Sequence, residues 1–470
     1  MIVAVVTGIL QTCFPPPCPL PDGIIARHAM YDEARCCCLK EYGMGRITEE
    51  YIKKHPKSAA NAKKAVELFP DGVTHDNRRF NPFPLAMERG LGPKKWDIDG
   101  NEYTDFRTGH GAMILGHSHP AIVKAVAEQV AKGTHLSSST ELEVKWGSMV
   151  KQLVPSAEKM RFTSSGTEAV MMAFRMARTH SGKTKIIKFQ DAFHGWADGP
   201  YVGTDLDNPN NGIPKQTRET MVILPYDITA VERTLDNDKD IAAVIFQGNK
   251  VINPSFIQQL RAITKQRGVL FIIDEVVSGF RWSRGGCQEL YGAIPDLSTM
   301  AKILAGGLPG GCVAGRADVV DTVTKGKIAH PGTFNANPLS AAAGATALAI
   351  VAKEPIGETA DRLAARFRKG LNDVMSKMEV PGCAYGVSSI VLTRFGADHD
   401  CDHQYCPSGG KAKGWSPEQK NLLVQALANR DIYCWSDSFI LSATHTNDLV
   451  DNTLEKVEDA IRAMRAEGAI

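Results

Sequence analysis

Five short apolar runs restrict this chain to a narrow set of architectures: "KMRFT" (159–163), "KIIKF" (185–189), "MVILP" (221–225), "AAVIF" (242–246) and "VLFIID" (269–274). Helical stretches separate them, and the runs lack the in-out alternation of a strand with one wet face. Strands that are apolar on both faces need helices on both faces. The pattern therefore predicts an α/β fold, a mostly parallel sheet sandwiched by helices. Upstream, "ITEEYIKKHPKSAANAKKAVELFPDG" has helical periodicity up to a Pro-Asp-Gly turn, and "KKWDIDGNEYTDF" reads as two strands about Asp99-Gly100. Downstream, the alanine-rich "NPLSAAAGATALAIVAKE" reads as a helix, followed by helix, short strands ("SIVLTRF", "FILSAT") and helix, a smaller α+β domain. The expected division is an unstructured extension over 1–46, a segment over 47–95 joining the small domain, a large ligand-binding domain over 96–345 and the small domain over 346–470.

The extension is rich in proline and carries five of the eleven cysteines, three of them adjacent (Cys36, Cys37, Cys38). An odd total with such crowding is a poor disulfide framework and favours a reducing, cytoplasmic compartment. The apolar start "MIVAVVTGIL" lacks the basic flank of a secretion signal, since the first arginine is Arg27. No run reaches the roughly 18–20 apolar residues that span a bilayer. With a net charge of +2 and no block of like charge, neither nucleic acid nor an anionic membrane is an expected partner. Small-molecule chemistry remains.

In open α/β sheets ligands collect beyond the carboxyl ends of strands. Three polar features sit there. After "KMRFT" comes "SSGTEAV", where Ser165, Gly166 and Thr167 open a helix whose positive end suits a phosphate, although such turns also cap helices without any ligand. Asp274 ends the apolar run "VLFIID", where a carboxylate demands a cation. Lys302 stands in "TMAKILAGGLPGG", an apolar stretch breaking into paired glycines; a desolvated amine there becomes a nucleophile. The acid and the lysine would also be explained by simple mutual pairing. One cofactor accounts for all three features, because pyridoxal 5'-phosphate (PLP) uses a lysine for its Schiff base, an acid at its ring nitrogen and a nest for its phosphate.

Taken in order, "RFTSSGTEAVMMAFRMAR", "FHGW", "FIIDEVVSGFR", "TMAKILAGGLPGG" and "HPGTFNANPLSAAAG" resemble the class III aminotransferases of fold type I, nearest the branch of glutamate-1-semialdehyde aminomutases and β-amino-acid aminotransferases. The resemblance covers about residues 47–465. It implies that Lys302 is the Schiff-base lysine and proton shuttle and that Asp274 partners the ring nitrogen. Ser165, Gly166 and Thr167 become the phosphate cup, Phe193 the ring that stacks on the cofactor, followed by His194 and Gly195. Thr333 matches a threonine that reaches the phosphate from the neighbouring subunit, which implies a homodimer with shared active sites. Arg78, in "GVTHDNRRFNPFP", falls where the aminomutases hold an arginine for the substrate carboxylate. The implied activity is transfer of an amino group between a small amino compound and a carbonyl acceptor by ping-pong chemistry, with intramolecular transfer of the aminomutase type as the alternative.

Two segments depart from that pattern. After "AAVIF" the family has Glu-Pro and a glycine-containing loop; here Gln247 stands where Glu is expected, and the loop over 247–254 is shortened. The acidic "FEA"-type segment of the aminomutases is replaced by "DIYCWSDSFILSATH". Both departures favour transfer between two molecules. A nucleotide-binding reading rests on "ARTHSGKT" (177–184), but a phosphate loop follows a strand, whereas this segment ends a helix and precedes the strand "KIIKF". "HDCDHQYC" offers His399, Cys401, His403 and Cys406 without the paired clusters of a metal site, so no metal is expected.

Overall fold

The computed structural model describes residues 45–324, 326–397, 406 and 414–470. The N-terminal extension, apart from its last two residues, and His399, Cys401 and His403 lie outside the described residues; Cys406 is buried. The strands are β1 (Met87–Leu91), β2 (Lys94–Asp97), β3 (Glu102–Asp105), β4 (Lys159–Thr163), β5 (Lys185–Phe189), β6 (Met221–Leu224), β7 (Ile241–Gln247), β8 (Leu270–Asp274), β9 (Leu297–Ala301), β10 (Gly311–Gly315), β11 (Gly382–Tyr385), β12 (Ile390–Phe395), β13 (Ile432–Tyr433) and β14 (Ser438–Ile440). Seven of them form the main sheet in the order β4-β10-β9-β8-β7-β5-β6. Only β10 runs against its neighbours. All five apolar runs are strands of this sheet, the α/β architecture of fold type I.

Helices cover both faces. On one side Glu141–Leu153 and Pro338–Lys353 pack around Trp146, whose indole stacks on Phe162 at 4.0 Å and donates to the Leu304 carbonyl at 2.9 Å. Gly166–Ser181 lies against a second apolar cluster, and Ile228–Asn237 and Pro254–Gln266 against a third. Phe271, Ile272 and Ile273 of β8 are fully buried. Truncating any of them to alanine costs about 2–5 kcal/mol, so the strand that ends in Asp274 is held firmly.

The expected single helix before residue 70 is two, Arg46–Lys54 and Pro56–Leu68. Pro56 sits at the first position of the second helix, where its missing N–H costs nothing, and it pushes His55 out of helical geometry. The hairpin about Asp99-Gly100 is β2–β3. Its other edge is completed from far along the chain: β13 pairs in parallel with β3, setting Tyr433 opposite Asp105. A third sheet, β11-β12-β14, packs under the helices Ile356–Lys377 and Asn447–Ala466 around Phe106, Phe367 and Phe439. Residues 177–184 end a helix at a left-handed Gly182 and run into β5, the reverse of a phosphate loop.

Candidate active site

The carboxyl ends of three adjacent strands meet at one level, because the register pairs Gln247 with Asp274 and Asp274 with Thr299. The Asp274 carboxylate is ringed by donors. Oδ1 accepts from the Val276 N–H at 3.0 Å and the Thr299 hydroxyl at 3.4 Å, and Oδ2 lies 2.7 Å from His194 Nδ1. Among the described residues no ion pair joins Asp274 to Lys302, so simple pairing of the two does not account for either.

Lys302 leaves β9 on a 3-10 turn that ends at the left-handed Gly306. Its own φ is +57°, a conformation unfavourable for a residue with a side chain and characteristic of functional positions. Burial lowers the amine below its ordinary value; Asp274 opposes that shift and the buried Arg281 guanidinium adds to it. Nζ makes no hydrogen bond among the described residues. A largely desolvated, unpartnered amine favours its neutral, nucleophilic form.

Ser165 caps the 16-residue helix Gly166–Ser181, its hydroxyl oxygen accepting from the Glu168 N–H at 3.2 Å. The hydroxyl proton is left to donate, and the first helical N–H groups have no intrahelical acceptor. Two glycines make room at this spot. A Cβ on Gly166 would lie 2.8 Å from a Val276 methyl, and one on Gly195, where φ is +100°, would lie 2.6 Å from Thr167 Oγ1. Phe193 is 47% exposed, and its backbone N–H donates to Gln247 Oε1 at 3.3 Å.

The structure thus brings together Lys302, Asp274, His194, Phe193 and the 165–167 turn. These residues fit PLP: a free amine, a carboxylate presented at a strand end, a face for a ring, and a helix N-terminus cleared by glycines for a phosphate. Thr333 is exposed, its carbonyl 2.6 Å from the His135 ring, with no hydrogen bond to the other site residues. His194 would act behind Asp274 rather than on the cofactor itself, since its Nδ1 is spent on the carboxylate and it is buried.

Arg78 is exposed, bonded to Thr74 Oγ1 at 3.0 Å, and lines a cavity of about 540 Å³ with Lys95, Arg107, His110 and Tyr433. The cavity is linked to the lysine through one of its walls: the His110 ring, pushed down to about 4 by burial first, also feels His75, Lys302, Arg107 and Arg78. Sequence reasoning missed Arg107 and His110. They sit in a loop after β3 whose neighbours are set by β13, more than 300 residues away along the chain, with |i−j| of 327 for the bond from Arg107 to Cys434.

Residues 75–389 match the family model for aminotransferase class-III. The chain belongs to the class III aminotransferases. It is 36% identical over 423 residues to a glutamate-1-semialdehyde 2,1-aminomutase of Persephonella marina, covering 86% of this chain and 97% of that protein. The crystal structure of an omega-transaminase from Sphaerobacter thermophilus superposes with a TM-score of 0.79 at 30% identity, covering 91% of this chain and 99% of the other. A transaminase solved with PLP bound gives 0.78 at 27% identity, over 88% and 99%. The class III enzyme described here is a PLP-dependent one, as the sequence motifs imply.

Proposed function

We propose that this aminotransferase moves its amino group between two separate small molecules by ping-pong chemistry, releasing a keto product before a carbonyl acceptor binds. The observation that carries this reading is the charge of the cavity beside Lys302. Arg78 and Arg107 line it without a carboxylate partner, while Lys95 is matched by the buried Asp105, His110 is neutral, and no Asp or Glu lines the cavity among the described residues. An aminomutase has to retain a compound bearing two amino groups while its cofactor returns to the starting form. A cation about 6 Å from an ammonium costs about 3 kcal/mol at an effective dielectric near 20, so this cavity repels such a compound.

When bound, PLP supplies an electron sink that acidifies the hydrogen on the amine-bearing carbon of the substrate. Lys302 Nζ would form the cofactor linkage and, once displaced, carry that proton from the substrate carbon to the cofactor's carbon, a role suited to an amine held below its usual value. Asp274 would hold the ring nitrogen, Phe193 would pack on the ring, and Ser165, Gly166 and Thr167 would hold the phosphate. Arg78 would receive a substrate carboxylate, the planar fork of guanidinium matching that group. A homodimer would complete the site with Thr333 of the partner subunit. Support for that comes from apolar side chains left uncovered next to proposed site residues in the sequence, Trp196 after Gly195 at 79% and Phe334 after Thr333 at 59% exposed. A cytoplasmic location fits the cysteine usage.

The name of the Persephonella relative favours a second reading, intramolecular transfer on glutamate-1-semialdehyde. Incubating the enzyme with one amino donor and no acceptor separates the two. Transfer between molecules releases one keto product per active site and then stops. Continuous turnover of glutamate-1-semialdehyde alone to 5-aminolevulinate would establish the second reading.

A further inference from the structure

Two cations at or next to the cavity have an acid to match. Arg79 pairs with Asp71 at 2.9 Å and Asp76 at 3.0 Å, and Lys95 with the buried Asp105 at 3.1 Å. Arg78 and Arg107 do not. Among the described residues neither guanidinium has a carboxylate partner, and none lines the cavity both of them face.

Arg107 is nonetheless held in place. Its Nε donates to the Cys434 carbonyl at 3.0 Å and Nη1 to the Tyr433 hydroxyl at 3.3 Å, while the guanidinium lies over the Tyr433 ring at 4.5 Å and within 5.0 Å of the Trp435 ring centre. Nη2 has no partner among the described residues. A braced fork with a free edge binds an anion at little further cost in side-chain entropy, and guanidinium suits carboxylate. The His110 ring beside it, neutral chiefly because it is buried, adds no negative charge to offset the guanidinium.

We propose that Arg107 is a specificity-determining residue that binds a second substrate carboxylate, beyond the one received by Arg78, so that the enzyme prefers amino dicarboxylates and the matching keto acids. This rests on the aminotransferase reading of the cavity. In that case the charge of the cavity does two things: it disfavours a diamine and recruits a dianion.

The test uses the full-length, cofactor-loaded enzyme and two donors that differ only in the second carboxylate, glutamate and 2-aminopentanoate. Conversion of the cofactor's visible band is followed without acceptor, and binding of glutarate, which has two carboxylates and no amine, is measured by calorimetry. The wild type should be half-converted at glutamate concentrations about tenfold or more below those of 2-aminopentanoate. Arg107→Gln should erase that ratio by weakening glutamate alone and should weaken glutarate by a similar factor, with Arg107→Lys restoring part of both. Equal weakening of both donors by Arg107→Gln, or a wild type indifferent to the second carboxylate, overturns the proposal. Failure of the aminotransferase reading looks different: neither donor converts the band in the wild type, while glutarate binding and its loss in Arg107→Gln still report on Arg107.

Discussion

Nδ1 of His194 and Oδ2 of Asp274 lie 2.7 Å apart, and both side chains are buried. Burial lowers the histidine's pKa more than the adjacent carboxylate restores it. The ring is therefore neutral at pH 7, with the Nδ1 proton donated to Asp274 and Nε2 left without a partner among the described residues. Its contribution is to fix the carboxylate that would face the cofactor's ring nitrogen.

Removing that donor should loosen the cofactor. A hydrogen bond to a charged group contributes about 1.5–3 kcal/mol, so His194→Ala should weaken PLP binding by about 10- to 100-fold in equilibrium dialysis of the apoenzyme. His194→Asn, which can still donate, should recover part of the loss. Unchanged retention in His194→Ala would mean that Val276 and Thr299 suffice to hold Asp274.

Lys302 combines a burial cost with a strained backbone, φ +57°, and neither helps folding. Lys302→Ala should lose the lysine-dependent visible band and at least about 10²–10⁴ in turnover, the range a positioned proton carrier supplies. Its apoenzyme should nevertheless melt no lower than the wild-type apoenzyme, as expected of a residue kept for function. A melting point several degrees lower would assign Lys302 a structural part that its geometry does not show.

Five of the seven main-sheet strands were legible because they are apolar runs, and the residues proposed for the cofactor stand out by local pattern. An apolar run reads as a buried strand wherever it occurs; Asp274 ends one and Ser165 follows another, whereas the strand before Lys302, Leu297–Ala301, is not among those runs. The break at His55 was legible in principle from Pro56, but the helical periodicity on either side masked it. The substrate half was not legible. Arg107 acquires its meaning from Tyr433 and Cys434, and only the parallel pairing of β13 on β3 brings them together. Gln247 read as a missing acid; in the fold it accepts from the Phe193 N–H and so helps to position that residue.

Two left-handed glycines provide a matched comparison. At Gly195 φ is +100° and a Cβ would lie 2.6 Å from Thr167 Oγ1 and 2.9 Å from its Cα, whereas at Gly182 φ is +68° with nothing within 4 Å. Both alanine variants should lose about 1 kcal/mol of stability from the backbone alone. Gly195→Ala should in addition displace the 165–167 turn and weaken PLP retention, while Gly182→Ala should keep the cofactor as the wild type does. Equal retention in the two would separate the turn from the phosphate.

Lys188 tests how much charge this core tolerates. It is fully buried in β5, its amine donating to the Pro200 carbonyl at 2.7 Å, and burial pushes its pKa down to about 8 against partial opposition from Asp207, Asp274 and Asp191. Between that value and the ordinary one of about 10.4, the unfolded chain holds a proton that the folded one has released. Stability therefore rises with pH across this window. Below pH 8 both states are protonated and the full cost, on the order of 3 kcal/mol, is present. Lys188→Met removes that cost but leaves the Pro200 carbonyl unpaired, which returns about 1–3 kcal/mol. The difference in melting temperature between wild type and variant should then shift in favour of the wild type as the pH is raised from 7.5 to 10, since other titrating groups are common to both. A difference that stays constant over that range would show that Lys188 keeps its proton in the folded core.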